Sequence, residues 1–279
     1  MVYNIGWFST GRGPGSRNLL KTIVDTIARG DIKAHISFVF CSREQGEAEG
    51  SDLYIQMIKD YGLSLITLSA RNFKPDMRKQ GMHDPDIMKQ WRLEYDREVM
   101  ARLASYPAQI IVLAGYMFIV GEEMCEKHDL INLHPAAPDG PAGTWQEVIW
   151  KLILHRAQES GVMMHLVTKE LDKGPPLTYC RFSLRDDLIN PLWEKHEQKL
   201  KEKRLDLIIK EEGETNRLFQ EIRKRGVERE LPLMVQTLKI FSEETISIQD
   251  KKVRVDGKVF REPYCLTEAI ECSIKNIMS

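Results

Sequence analysis

Gln109-Ile110-Ile111-Val112-Leu113-Ala114 decides the fold class. An almost wholly apolar run of this length is what a strand covered on both faces looks like, and such strands belong to parallel sheets. Working outward, strand-like runs alternate with helical patterns. Upstream, residues 2–8, 35–40 and 63–68 read as strands. Leu19, Leu20, Ile23, Val24 and Ile27 recur at the spacing of a helix with one buried face, and 52–61 and 86–103 also read as helices. Residues 71–83, rich in Lys, Arg, Asp and Met, read as a surface loop. Downstream, strands are expected at 130–133, 162–168 and 177–182. A helix is expected at 144–155, with Thr144 as its N-cap and Glu147 as the capping-box partner. This alternation predicts an α/β fold: a Rossmann-like, mostly parallel twisted sheet flanked by helices.

The character changes near residue 185. Residues 191–229 are dominated by Glu, Lys and Arg and read as two solvated helices broken near Gly213. Residues 231–241 read as a further helix with Pro232 in its first turn, and 246–257 as a small hairpin unit. The expected organisation is a catalytic domain over 1–184. A charged helical C-terminal elaboration with a small strand unit over 185–279 packs on it.

The chain has 279 residues and a formal net charge of −1, which gives no whole-protein case for nucleic-acid binding. Its five cysteines are scattered, with no Cys-x-x-Cys pair, as in a reducing compartment. The first residues carry no basic segment ahead of a long apolar core, and no apolar run approaches a membrane span. A cytoplasmic protein without a membrane partner is expected, and a homodimer is left open.

Three residues carry acyl-transfer chemistry. Asn132 offers an amide N–H for a developing oxyanion, His134 an imidazole that titrates near neutral pH, and Asp172 a carboxylate that can orient an imidazole and accept charge. Asn132 and His134 are two apart on a strand and share a face. His165, inside a later strand, reads equally as a support of the site or as a satisfied core histidine, and Asp172 read alone is a turn residue before Gly174. The loop Gly11-x-Gly13-x-Gly15-Ser16, followed by Arg17 and Asn18, joins a strand to a helix. It reads as a phosphate or carboxylate cradle or as a plain tight turn. Its spacing is not that of a dinucleotide fingerprint, and the second strand ends in Cys41-Ser42-Arg43 without an acidic residue, although Arg43 stands where a 2′-phosphate is met. No metal is expected, since His, Cys, Asp and Glu do not cluster at ligand spacing.

At these residues the chain resembles the folate-dependent formyltransferase family, over roughly 2–182 and more loosely 228–256. Asn132-Leu133-His134-Pro135 resembles the family's Asn-x-His-Pro signature. The segment from Val167 to Pro175, with Glu170-Leu171-Asp172-Lys173-Gly174, resembles its folate loop, and Leu113-Ala114-Gly115-Tyr116-Met117 resembles the strand end against which the pterin packs. The resemblance implies Asn132, His134 and Asp172 as catalytic residues. It implies Tyr116, Met117, Phe118, Ile119, Val120, Lys169, Glu170, Leu171 and Lys173 as folate-binding, and Gly13, Gly15, Ser16, Arg17 and Asn18 as the substrate-phosphate site. The implied reaction is formyl transfer from 10-formyltetrahydrofolate, as co-substrate, to the amine of glycinamide ribonucleotide in purine synthesis. Its partners are two small molecules, a folate and a phosphorylated amine. The departures are Ala136-Ala137-Pro138-Asp139-Gly140-Pro141 where the family has Leu-Leu-Pro and a short turn, an inserted Arg17, and Phe118 where Arg is common. They leave other amines open (a nucleotide sugar, methionyl-tRNA), as well as a nucleotide-binding module without activity.

Overall fold

The computed structural model describes residues 2–259 and 262–278. The chain forms two compact units. The first comprises Met1–Asn132, Leu166–Pro175 and Leu238–Arg261, the second Leu133–His165, Pro176–Thr237 and Glu262–Ser279.

The first unit begins β1 (Tyr3–Ser9), α1 (Pro14–Ala28), β2 (Ala34–Cys41), α2 (Glu49–Asp60), β3 (Leu65–Thr67). It continues α3 (Pro75–Gly81), α4 (Pro85–Leu103), β4 (Ile110–Leu113), α5 (Glu122–Lys127) and enters β5 (Leu130–His134). The strand order is β5-β4-β1-β2-β3, every pair parallel. The run that opened the sequence reading is β4. All four of its residues are buried. It pairs on one side with β1 (Ile5 to Ile110 through Phe8 to Leu113) and on the other with β5 (Ile111 to Leu130 through Leu113 to Asn132). Its apolar side chains therefore have no polar face to avoid. After β3 the chain returns to the far side of β1, so the loops leaving β1 and β4 diverge. That divergence is the crevice in which open α/β sheets hold ligands.

Phe8 centres the core on one face, with ring centroids 4.8 Å from Phe40 and 5.3 Å from Tyr116. Around it lie Trp91, Tyr95, Val99, Leu113, Val120 and Met124. The loop expected over 71–83 is corrected here, because 75–81 is the helix α3. Only Met77 gives that segment an apolar side, too little for a helical period to register. What fixes it is Pro75 in the first turn and the contact of Gly81 with the backbone of Met88, so close that an added Cβ would sit 2.9 Å away. Later in the chain this unit adds the antiparallel sheet β8 (Ile246–Gln249), β9 (Lys252–Val255), β10 (Lys258–Val259), the expected hairpin plus a third strand.

The second unit holds the end of β5, then α6 (Trp145–Leu154), β6 (Glu159–Leu166), β7 (Pro176–Ser183), α7 (Asn190–Glu202), α8 (Leu205–Glu212), α9 (Arg217–Ser242), β11 (Tyr264–Cys265) and α10 (Thr267–Met278). The last residue of β6 and those of α9 from Leu238 on belong to the first unit. β6 and β7 are antiparallel, and β11 pairs parallel with β7. The capping box of Thr144 and Glu147 starts α6 as expected. The 191–229 reading needs two corrections. Three α-helices and a short 3-10 turn at Gly213–Thr215 occupy the stretch, and the buried faces of the α-helices carry Trp193, Ile208, Leu218, Phe219 and Ile222, so they are not merely solvated. Pro232 does not open a helix. It lies inside the 26-residue α9. A proline there costs about 3 kcal/mol. The buried side chains on either side, Leu218, Phe219 and Ile222 before it and Leu233, Met234 and Leu238 after it, contribute roughly 1.5–3 kcal/mol each and outweigh that cost.

Candidate active site

In the first unit the candidate residues gather on three loops that follow strand ends. The first loop joins β1 to α1. Thr10 anchors it. Its N–H donates to the Gly115 carbonyl (3.1 Å), and its Oγ1 accepts from the Met117 N–H (3.0 Å) and from Ser42 Oγ (3.2 Å). Gly13 is the N-cap of α1 in extended conformation, Pro14 follows, and the first turn has neither a side-chain cap nor an acidic residue. The N–H groups of that turn thus face outward without an internal acceptor from a capping side chain. A Cβ added at Gly13 or Gly15 would meet nothing within 4 Å. Asn18 is exposed. Arg17 turns aside and donates from Nη1 to the Gly50 carbonyl at 3.1 Å. Ser16 packs against the next loop, its Oγ 2.6 Å from where a Gly115 side chain would begin.

The second loop follows β4. Gly115 has φ +69 and sits against Ser16, so both the conformation and the clearance require glycine. The side chains beyond it alternate. Met117 (71 % exposed) and Ile119 point outward. Tyr116, Phe118 and Val120 pack on the aromatic core, and burial raises the Tyr116 phenol well above its ordinary pKa. Of the five residues expected at a folate from this segment, two therefore present their side chains to solvent and three support them.

The third loop spans 167–175. Its base is pinned by Val167 N–H to the Leu130 carbonyl (2.7 Å) and Leu166 N–H to the Pro175 carbonyl (3.0 Å). Gly174 closes it, since a Cβ there would lie 1.6 Å from the Leu166 carbonyl oxygen. Lys169 pairs with Glu122 at 2.8 Å, which raises the lysine's pKa and lowers that of the glutamate. Lys173 pairs with Glu170 at 3.4 Å, and Leu171 is exposed. Asp172 is half-buried, with φ +55. Left-handed backbone at a residue other than glycine is uncommon, and Asp and Asn tolerate it best. Asn132, half-buried, stands opposite Leu113 where β5 pairs with β4.

In the second unit His134 ends β5 and is 3 % exposed. Its Nε2 lies 3.1 Å from the Pro141 carbonyl. A carbonyl only accepts, so this nitrogen carries the hydrogen. The His165 ring stands perpendicular to that of His134, with centroids 6.0 Å apart. The loop that supplies Pro141 is held by Gly140 N–H to the Ala137 carbonyl (2.9 Å) and by Lys151 Nζ to the Ala142 carbonyl (2.7 Å).

Sequence reasoning missed Thr10, Glu122 and Pro141. Thr10 was within reach, as the residue where a strand enters a glycine loop. Glu122 and Pro141 leave no local signal, because each acts through a contact fixed by the fold.

A family model described as formyl transferase matches residues 13–187, more than half of the chain. The chain is 28 % identical over 176 residues to the phosphoribosylglycinamide formyltransferase of Escherichia coli (strain K12), covering 60 % of this chain and 68 % of that one. It is 23 % identical over 184 residues to the enzyme of the same name from Saccharomyces cerevisiae, covering 61 % and 79 %. In fold it is similar to a phosphoribosylglycinamide formyltransferase structure from Coxiella burnetii, with TM-score 0.65 and 18 % identity over 95 % of this chain and 99 % of that one.

Proposed function

The chain belongs to the formyl transferase family, and from that premise we propose that it transfers a formyl group from 10-formyltetrahydrofolate to the amine of glycinamide ribonucleotide, a step of purine synthesis. The observation that carries the reading is the end of β5. Inside the family-matched segment, a buried parallel strand finishes on Asn132-Leu133-His134, at the strand terminus where open α/β sheets meet their ligands. The names of the relatives support the choice of acceptor.

In this reading the amine attacks the formyl carbon and a tetrahedral oxyanion forms. The amide N–H of Asn132 and the doubly protonated imidazole of His134, whose Nδ1–H is left for it while Nε2–H meets the Pro141 carbonyl, stabilise it. The bond from the formyl carbon to the folate nitrogen then breaks, and Asp172 relays a proton from the amine to that leaving nitrogen. Met117, Ile119 and the 169–173 loop receive the folate. The first turn of α1, with Gly13, Gly15, Ser16 and Asn18, receives the acceptor's phosphate through backbone N–H groups and the positive end of the helix dipole. Arg17, already bonded to Gly50, contributes charge rather than a direct fork.

The test is an assay with 10-formyltetrahydrofolate and a panel of amines: glycinamide ribonucleotide, amino-sugar nucleotides and methionyl-tRNA. Release of tetrahydrofolate and formation of the formylated amine are both followed. Glycinamide ribonucleotide should be formylated at least about tenfold faster than the others, a difference of roughly 1.4 kcal/mol in the barrier. Preference for another amine overturns the acceptor, and turnover of none overturns the activity.

A further inference from the structure

At the N-terminal ends of β1 and β4 the first unit holds a cavity of about 480 Å3. Tyr3 opens β1 and Ile110 opens β4, and both line it. It therefore lies away from the loops at the C-terminal strand ends that carry the candidate catalytic residues. All four residues of β8, from Ile246 to Gln249, line it too. Side chains alternate between the two faces of a strand. A hollow that touches four successive residues thus runs along an edge of β8.

That edge is unpaired. The order of the small sheet is β10-β9-β8, so among the described residues β8 has a neighbour on one side alone. The hairpin geometry says which backbone groups are left. The two-residue turn Asp250-Lys251, with φ +51 and +58, closes on Gln249 and Lys252 as a hydrogen-bonded pair. Four residues along, the Asp256 N–H donates to the Thr245 carbonyl at 3.1 Å. Antiparallel pairs alternate, so Ser247 and Arg254 form the hydrogen-bonded pair between them. Ile246 and Ile248 then turn N–H and C=O away from β9, toward the cavity. Among the described residues no other backbone group meets these four. Open edges are ordinarily guarded by charge, proline or a bulge. The far edge of this sheet carries the exposed Lys258. Ile246-Ser247-Ile248-Gln249 has neither charge nor proline, and its register with β9 is unbroken.

The walls set the chemistry of an occupant. The rings of Tyr3 and Phe241, with centroids 6.3 Å apart, and Ile110 give the cavity an apolar side. Gln109 Oε1 is taken by the Asn4 N–H at 2.6 Å, which leaves the amide N–H groups of Gln109 to donate. Burial, and then the carboxylates of Asp129 and Glu244, raise the Tyr3 phenol above its ordinary pKa, so it stays a neutral donor. Glu244 is the charged residue of the lining. It is exposed, and among the described residues it forms no ion pair. The cavity thus offers a strand edge, an apolar wall and one unmatched negative charge.

We propose that the free edge of β8 is a docking site for one extended peptide segment of a partner protein, which adds as a fourth strand and meets Glu244 with a lysine or arginine. Its backbone pairs with Ile246 and Ile248, and its apolar side chains, at alternate positions, lie beside theirs. Tyr3, Gln109 and Ile110 wall the other side, which admits a single extended chain and not the folded sheet of a second copy.

The test titrates the synthetic peptide acetyl-Lys-Val-Thr-Val-Thr-Val-amide, to several millimolar, into the 15N-labelled full chain. Saturable shifts of the Ile246 and Ile248 amide resonances are expected, downfield as a new hydrogen bond requires. The same peptide N-methylated throughout should bind at least about tenfold more weakly to the unaltered protein, and Ile248→Pro should weaken the parent peptide as much. That substitution removes an N–H directed away from β9, so the hairpin keeps its own ladder. Glu244→Gln should cost at least about threefold with the lysine peptide and nothing with norleucine in its place. Absence of saturable shifts, equal binding of the methylated peptide, or unchanged affinity in Ile248→Pro overturns the docking site. Indifference of the lysine peptide to Glu244→Gln overturns the basic partner. Sedimentation velocity of the chain alone decides against a second copy: a dimer that Ile248→Pro dissociates would mean that β8 pairs with itself, and would overturn the proposal.

Discussion

Replacing Gly15 by valine separates a phosphate cradle from a plain turn, because the two accounts predict opposite stability and affinity effects. Gly15 is the second residue of α1, and an added Cβ meets nothing within 4 Å. The folded chain therefore accommodates the new side chain without a clash. Helix propensity shifts slightly in its favour, since glycine is the poorer helix former by a few tenths of a kcal/mol. Unfolding free energy is expected to stay within about 0.5 kcal/mol of the parent. The approach to the backbone donors of the first turn is a different matter. These N–H groups have no side-chain cap, and Pro14 supplies none. A hydrogen bond from such a donor to a charged oxygen is worth roughly 1.5–3 kcal/mol, and a β-branched side chain standing over it removes about one. The acceptor's KM is then raised by about ten- to a hundredfold, and the folate's by less than about twofold. Steady-state kinetics with each substrate varied in turn, alongside urea denaturation, measures both quantities. Equal effects on the two substrates would refute the cradle, and so would a variant that loses stability in step with activity.

Other outcomes follow from the same geometry. His134→Ala is expected to lower turnover by roughly two to four orders of magnitude with little change in folate binding, and near-parental turnover removes it from the catalytic group. Asp172→Asn keeps a residue tolerant of the φ +55 backbone, so it should stay within about 0.5 kcal/mol of the parent in stability while activity falls at least about a hundredfold. A matched loss of melting temperature and activity would instead make Asp172 a turn residue. Burial raises the Asp96 carboxyl from 3.8 to about 6, offset in part by the Gly121 N–H it accepts at 2.6 Å. Its folded form binds the proton more tightly than the unfolded chain, so its contribution is complete below pH 4 and is lost as pH rises through 6, a change of order 3 kcal/mol. Asp96→Asn should accordingly add about 1–3 kcal/mol at pH 7.5 and flatten stability between pH 4 and 6, as read by urea titrations at each pH. A parent curve already flat in that window contradicts the shift. Pro232→Ala should restore an acceptor–donor pair inside α9 and stabilise the chain by about 1–3 kcal/mol, and a destabilised variant would mean that the helix is shaped around the proline.

Much of the fold was legible because the signals that specify it are local. The continuous apolar run of β4, the one-sided spacing of α1 and the Thr144–Glu147 box of α6 each depend on residues within a turn or a strand of one another. The Asn132-x-His134 signature and the glycine loop were legible for the same reason. The sequence by itself therefore determined which segments are strands and which residue types stand at their C-terminal ends. Where local preference and burial conflict, the sequence misled. Residues 75–81 lack a helical period yet fold as α3, and Pro232 lies within a helix whose buried side chains outweigh its cost. Only the tertiary structure decided which strand ends are neighbours. The return of the chain from β3 to the far side of β1 brings Met117 to Thr10 across 107 residues and Lys169 to Glu122 across 47. Strand order is a property of how buried faces satisfy one another over the whole sheet, and no window of sequence contains it.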